Sequence, residues 1–77
     1  MRGSTVTKYS MIIQWSNDDR LFLVTVPEFN GRVMQPCASG TTYEEAVKHG
    51  QEVIETYLDI WRQDGLSIPE PSIQQIA

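Results

Sequence analysis

One long amphipathic pattern occupies residues 42–64, and it requires the rest of the chain to provide an apolar surface for it. Apolar residues recur there every three or four positions, the period of an α-helix with one buried face. Thr42 and Glu45 have the spacing of a capping box, and Gly65 follows the last turn, where glycine commonly ends a helix. The pattern predicts a helix over residues 42–64 that must cover an apolar surface.

The predicted helix has two chemically different faces. Its apolar stripe comprises Tyr43, Ala46, Val47, Gly50, Val53, Ile54, Tyr57, Leu58, Ile60 and Trp61. Its polar face comprises Glu44, Lys48, Glu52, Glu55, Asp59 and Arg62. Glycine inside a helix costs about 1 kcal/mol relative to alanine, so Gly50 indicates close packing of the helix on its neighbour.

The residues before the helix predict a β-hairpin. Residues 8–15 alternate between apolar and polar side chains, as in a strand with one buried face, and this places Trp15 on the buried face. The polar residues 16–19 favour a turn, and residues 21–26 are a β-branched and aromatic run that predicts the second strand. Pro27 ends this run because it has no backbone N–H to donate.

A third strand and a tail complete the predicted order. Asn30 and Gly31 favour a tight turn before a third strand over residues 32–38, which Pro36 restricts to an edge position or a bulge. After the helix, Pro69 and Pro71 hold the chain extended, and residues 73–76 are expected to add a short fourth strand. We therefore predict an α+β fold of order β-β-β-α-β, with the helix on one face of the sheet. Residues 1–7 are expected to form a flexible leader and residues 8–77 one domain.

Charge and cysteine usage narrow the class of protein. The formal net charge of the 77 residues is −4, and the six Lys and Arg residues are scattered, which argues against direct nucleic-acid binding. No membrane helix or signal peptide is recognisable, so a cytoplasmic location is expected. A single cysteine, Cys37, and a single histidine, His49, leave no disulfide within the chain and no Cys/His zinc site. So small a core predicts that the protein gains stability as a homo-oligomer or with a partner.

No set of residues in the sequence forms an enzymatic constellation. His49 lies at the border of the apolar stripe and is expected to face water, and Cys37 has no basic neighbour that would lower the pKa of its thiol. The carboxylate pairs have structural explanations as turn and helix-start residues. We therefore expect no catalytic residue, no cofactor and no metal, and favour a binding role. The far end of the helix is expected to overhang the sheet and to meet another chain through Tyr57, Ile60 and Trp61.

The motifs together resemble the HicB-type antitoxin domain over residues 8–76. The segments that carry the resemblance are Val26-Pro27-Glu28, the turn with Gly31, Gly40-Thr41-Thr42-Tyr43-Glu44-Glu45-Ala46, and Asp64-Gly65-Leu66-Ser67-Ile68-Pro69-Glu70-Pro71-Ser72. The resemblance implies a partial ribonuclease-H-like fold that lacks the metal-binding carboxylates of true nucleases. It also implies a partner, a small basic HicA-type ribonuclease toxin that the antitoxin neutralises. The C-terminal DNA-binding domain common in the family has no counterpart in this sequence, so the domain is expected to stand alone.

Three other functions remain open from the sequence. The first is an orphan HicB-like oligomerising domain that no longer has a toxin and has a scaffold or regulatory role. A vestigial metal-dependent nuclease would use Asp18, Asp19 and Glu45 with a divalent ion. Binding of double-stranded RNA is disfavoured, because that fold begins with a helix and needs a basic cluster.

Overall fold

The computed structural model describes residues 8–71 as one sheet packed against one long helix. The elements are β1 (Ile12–Ser16), β2 (Leu21–Thr25), a short 3-10 helix (Pro27–Phe29), β3 (Ala38–Gly40) and α1 (Tyr43–Gln63). The three strands are antiparallel in the order β1-β2-β3. The predicted α+β fold and its β-β-β-α order are confirmed. The expected leader (1–7) and fourth strand (73–76) lie outside the described residues.

The hairpin forms where the alternation predicts it. Ile13 pairs with Val24 and Trp15 with Phe22 across β1 and β2. Because side chains alternate along a strand, these four residues lie on one face of the sheet. The helix α1 packs on this face, where Gly50 lies against Val24.

Trp15 corrects one part of this prediction. It lies on the helix side of the sheet, yet it remains 50% exposed. Its ring packs edge-on against Phe22 at a centroid distance of 5.0 Å, and Phe22 in turn stacks on Tyr43 at 4.3 Å. Tyr43 is the first residue of α1. The end of β1 therefore reaches the start of the helix, where only side chains at the helix terminus are available to cover it.

The third strand begins later than the sequence predicts. It spans Ala38–Gly40 rather than residues 32–38. The Gln35 side chain bonds both backbone groups of Val26, accepting from its N–H at 3.3 Å and donating to its carbonyl at 2.8 Å. These side-chain bonds occupy the groups of Val26 that a longer ladder would use, and Pro36 has no N–H to add. The predicted turn does form, with Gly31 at a φ of +83°.

The ends of α1 are closed by the residues that the sequence indicates. The Thr42 hydroxyl accepts the Glu45 N–H at 3.0 Å, and the Glu45 carboxylate accepts the Thr41 N–H at 2.6 Å. At the other end, Gly65 has a φ of +74°. Leu66 donates to the Trp61 carbonyl and Gly65 donates to that of Arg62, the two bonds of a Schellman motif.

The core lies between α1, β2 and the segment that follows β2. Its cluster of buried side chains contains Tyr9, Val26, Phe29, Ile54, Leu58 and Trp61. Gly50 allows the close approach that was predicted, since a Cβ there would lie 2.6 Å from the Met11 sulfur and 3.1 Å from a Val24 methyl. Within residues 8–71 the structure contains no helix with the length and apolar character that crossing a bilayer requires.

Candidate binding groove

A groove lies between one flank of α1 and β3, an edge strand of the described sheet. Its volume is about 470 Å³, and its lining residues are Ala38, Ser39, His49, Glu52, Val53, Thr56, Tyr57 and Ile60. The helical members recur at three- and four-residue intervals, so they form a second stripe beside the one that enters the core. In the described sheet β3 pairs with β2 alone, which leaves its other edge facing this groove.

His49 joins the two walls of the groove. Its Nδ1 lies 2.7 Å from the Ser39 carbonyl oxygen, and its side chain is half-buried. Because a carbonyl only accepts hydrogen bonds, Nδ1 carries the proton and donates. The expectation that His49 simply faces water is wrong, because its place at the border of the apolar stripe brings it against the edge of β3.

The outer rim of the groove is acidic. Glu45, Glu52 and Asp59 are spaced seven residues apart, and seven residues fall about 20° short of two full helical turns, so the three carboxylates follow one line along α1. Glu52 and Asp59 are exposed. Asp59 has one basic neighbour, Arg62, at 3.8 Å, and an exposed pair of this kind contributes little. Of the three carboxylates, Glu52 lines the groove itself. Lys48 lies four residues before Glu52, and its positive charge acts on the Glu45 carboxylate. The three carboxylates outnumber Lys48 and Arg62, so the rim keeps a net negative charge beside an apolar floor.

Glu45 anchors the N-terminal end of this rim. The Thr41 backbone N–H, and then the Thr41 hydroxyl, hold the pKa of the Glu45 carboxyl below its usual value. Hydrogen bonds of this kind favour the charged form of a carboxyl group. Glu45 therefore carries its negative charge to lower pH than an ordinary glutamate does.

The three residues predicted to contact another chain are placed differently by the structure. Trp61 is only 8% exposed, and the overhang expected there is wrong. Its ring packs edge-on against Phe29 at 5.0 Å, and the Arg32 guanidinium lies over it at 5.0 Å. Tyr57 is half-buried in the groove wall, and Ile60 is 42% exposed at the groove. Whether Tyr57 and Ile60 contact another chain stays a prediction.

Trp61 is covered because two segments outside the helix fold over it. Arg32, which precedes β3, donates from Nη1 to the Ser67 carbonyl at 2.7 Å, and Tyr9 donates its hydroxyl proton to the Pro69 carbonyl at 2.6 Å. Ile68 packs against the core cluster between these two bonds. These contacts hold the segment after α1 against the end of the helix. Burial at this position raises the pKa of the Tyr9 hydroxyl.

The remaining candidate reactive residues do not converge. Cys37 is half-buried, and its burial raises the pKa of its thiol, which lowers the fraction of reactive thiolate. Asp18 and Asp19 lie in the turn between β1 and β2, and Glu45 lies in the first turn of α1. Within residues 8–71 no group of three or more His, Cys, Asp or Glu side chains is placed to hold a metal ion.

The sequence contained a signal for the groove that its interpretation passed over. His49, Val53, Thr56 and Ile60 recur at the spacing of a helix stripe. Val53 and Ile60 also belong to the predicted apolar stripe, and His49 lies at its border, so the pattern alone does not separate the groove from the core. Ser39 could not be found in this way, because its part in the groove depends on where β3 pairs.

Fold and groove together define a small α+β domain with an acidic-rimmed groove at a sheet edge. Comparison of the chain with protein-family models, with curated proteins and with solved structures finds no significant match. Membership of the HicB-like family therefore remains a prediction from the sequence motifs.

Proposed function

We propose that this protein is an antitoxin-like interaction protein that binds and neutralises a small basic HicA-type ribonuclease toxin. The observation that supports the proposal is the acidic line of Glu45, Glu52 and Asp59 beside an apolar groove. An acidic surface steers encounter with a basic protein and competes with RNA for the positive surface of that protein. Apolar contacts such as Ile60 would supply most of the affinity.

The proposed role places the protein in the cytoplasm, where a ribonuclease toxin would meet its RNA. A lone half-buried thiol, Cys37, suits a reducing compartment. The proposed mechanism is occlusion, which requires no chemistry from this chain. The acidic domain covers the basic surface that the toxin needs for RNA.

Co-expression tests the proposal directly. The short basic protein encoded in the adjacent reading frame is induced in a bacterial host, with this chain or with a version carrying an early stop codon. We expect growth arrest with the stop-codon version, rescue with the intact chain, and co-purification of the two proteins. Absence of a basic neighbour, or arrest that the intact chain does not relieve, contradicts the proposal.

A second candidate is self-association as an orphan oligomerising domain. The observation that favours it is Ile12, which is 47% exposed on the sheet face turned away from α1. Its cross-strand partner Thr25 lies on the same face. An exposed β-branched apolar residue on an open sheet face fits pairing between two copies of the chain.

A further inference from the structure

We propose that the groove between β3 and α1 is the surface that receives the basic partner, and that its occupant is an extended, cationic segment of that partner. This inference rests on the proposed function and adds the site and the form of the ligand. The groove combines an edge strand, an apolar floor and an acidic rim.

The edge strand argues for an extended occupant. β3 has β2 as its strand neighbour in the described sheet, and on its other edge the Ser39 carbonyl accepts the His49 N–H. A carbonyl oxygen has two lone pairs, so an extended peptide can still add to this edge through main-chain hydrogen bonds. The helical wall from His49 to Ile60 is about 16 Å long at 1.5 Å per residue. An extended segment of about five residues spans the same length at 3.3 Å per residue.

The two rows of helix residues argue for the composition of that segment. Val53 and Ile60 offer apolar contacts on the floor, and Ile60 is 42% exposed. Glu52 and Asp59 lie seven residues apart on the rim, about 10 Å along the helix axis. Side chains of an extended segment alternate between two sides, so apolar residues facing the floor would alternate with Lys or Arg facing the rim.

The charge of the groove favours a basic partner segment over a second copy of the chain. A copy with a formal net charge of −4 would bring its own acidic rim toward Glu52 and Asp59, and like charges at an interface are unfavourable. A basic segment neutralises both carboxylates. The half-exposed Ile12 lies on the opposite side of the sheet and does not belong to this groove.

The test compares groove variants with matched variants elsewhere on α1. Glu52→Lys and Ile60→Asp change exposed groove residues. Glu44→Lys and Gln51→Asp make similar changes at exposed helix positions outside the groove. The purified full chains are titrated with the co-purified basic toxin by biolayer interferometry at several salt concentrations. Circular dichroism before each titration selects variants that keep the fold of the parent chain.

The expected results separate the two parts of the site. Glu52→Lys should lower the association rate constant about tenfold and flatten its dependence on salt, because rim charge acts on encounter. Ile60→Asp should raise the dissociation rate constant at least about tenfold, because it buries a charge in the apolar contact. Glu44→Lys and Gln51→Asp should stay within about twofold of the parent.

The outcomes distinguish the inference from the proposed function. If the parent chain binds the toxin and the groove variants bind equally well, the groove is not the site, while the antitoxin role stands. If the parent chain does not bind the toxin, both fail. If light scattering shows that the groove variants alter dimer formation but not toxin binding, the occupant is a second copy and the inference is overturned.

Discussion

At the scale of single residues, the two tryptophans show that similar sequence patterns can lead to different degrees of burial. Both occupy positions where the local period predicts contact with the opposing element. Trp61 is 8% exposed within a cluster of aromatic rings, whereas Trp15 is 50% exposed. Hydrophobic stabilisation follows the apolar area removed from water, so the two residues should contribute very differently to stability.

The first prediction is that Trp61→Ala lowers the free energy of unfolding by about 3–5 kcal/mol, the range for loss of a buried aromatic side chain. Trp15→Ala serves as the comparison. It should cost about 1 kcal/mol, because it removes one half-exposed aromatic pair with Phe22. Urea unfolding followed by circular dichroism measures both, and equal costs would contradict the burial of Trp61.

A second residue-scale prediction concerns Gly40, where the start of α1 closely approaches β3. A Cβ at Gly40 would lie 2.9 Å from the Ala46 Cα and closer still to the Ala46 nitrogen. Because these are backbone atoms, they cannot move aside without shifting the helix. Gly40→Ala should therefore cost about 2–3 kcal/mol, as overpacking does.

Gly31→Ala is the matched control for this prediction. A Cβ at Gly31 meets nothing within 4 Å, but its φ is +83°. Gly31→Ala should lower the free energy of unfolding by only about 1–2 kcal/mol, the cost of placing alanine in the left-handed backbone region. Thermal and urea unfolding of the two variants give the comparison, and a smaller cost at Gly40 than at Gly31 would show that the close approach is not present.

At the scale of elements, α1 depends on both of its ends. The N-terminal end is closed by the reciprocal bonds of Glu45 with Thr42 and Thr41. Gly65 closes the C-terminal end. The Glu45 N–H and the last carbonyls of α1 are backbone groups that a helix leaves without internal partners, and the bonds at the two ends satisfy them. The same first turn carries Glu45, so the stability of the helix start and the charge of the groove rim change together with pH.

The third prediction concerns that pH dependence. The folded-state pKa of Glu45 is depressed by the Thr41 N–H and hydroxyl, so its stabilising contribution is present above the unfolded-state pKa and is lost as pH falls through the folded-state pKa. Glu45→Gln should destabilise the protein at pH 7 and lose that effect in strong acid. Urea unfolding at neutral pH and near pH 3 checks this. A constant difference between parent and variant at both pH values would contradict it.

The fourth prediction concerns the other end of α1. Gly65→Ala should lower the free energy of unfolding by about 1 kcal/mol, because alanine is disfavoured at the left-handed position of a Schellman motif. No atom lies within 4 Å of the added Cβ, so the cost is conformational. Gly65→Asn provides the control, since asparagine tolerates this conformation better, and it should lie between glycine and alanine in thermal unfolding.

At the scale of the whole molecule, the small hydrophobic core favours association with another chain, which would bury more apolar surface. Within residues 8–71 the buried cluster contains six residues, and a chain of this size gains little net stability from its own burial. Ile12 remains 47% exposed on the sheet face turned away from the helix. The groove and this sheet face are separate surfaces, so toxin binding and self-association can be tested independently.

The fifth prediction is that the protein forms a dimer or larger homo-oligomer at tens of micromolar, with contacts on the Ile12 face. Ile12→Thr keeps a β-branched residue in the strand while removing apolar area, and it should shift the protein toward monomer in multi-angle light scattering. Gln51→Ala, at an exposed position of α1 on the other side of the sheet, should leave the oligomeric state unchanged. A monomeric parent chain at these concentrations would rule out the oligomer.

Local features were predictable from the sequence because they depend on neighbours along the chain. The helix bounds, its caps and the hairpin follow from the residues in their own segments, as the bonds of Glu45 and Gly65 show. The position of β3 was not predictable in the same way. It depends on the Gln35 side chain bonding Val26, nine residues earlier, and no propensity at Gln35 indicates that contact.

The sequence by itself determined the α+β order, the amphipathic helix, its caps and the acidic balance, because periodicity, capping and charge are properties of short segments. Tertiary structure alone decided that Trp61 is buried and Trp15 is half-exposed, and that His49 bonds Ser39 across a groove. The physical reason is that burial and hydrogen bonding between distant residues depend on which surfaces meet. That outcome follows from packing of the whole chain rather than from the pattern of any one segment.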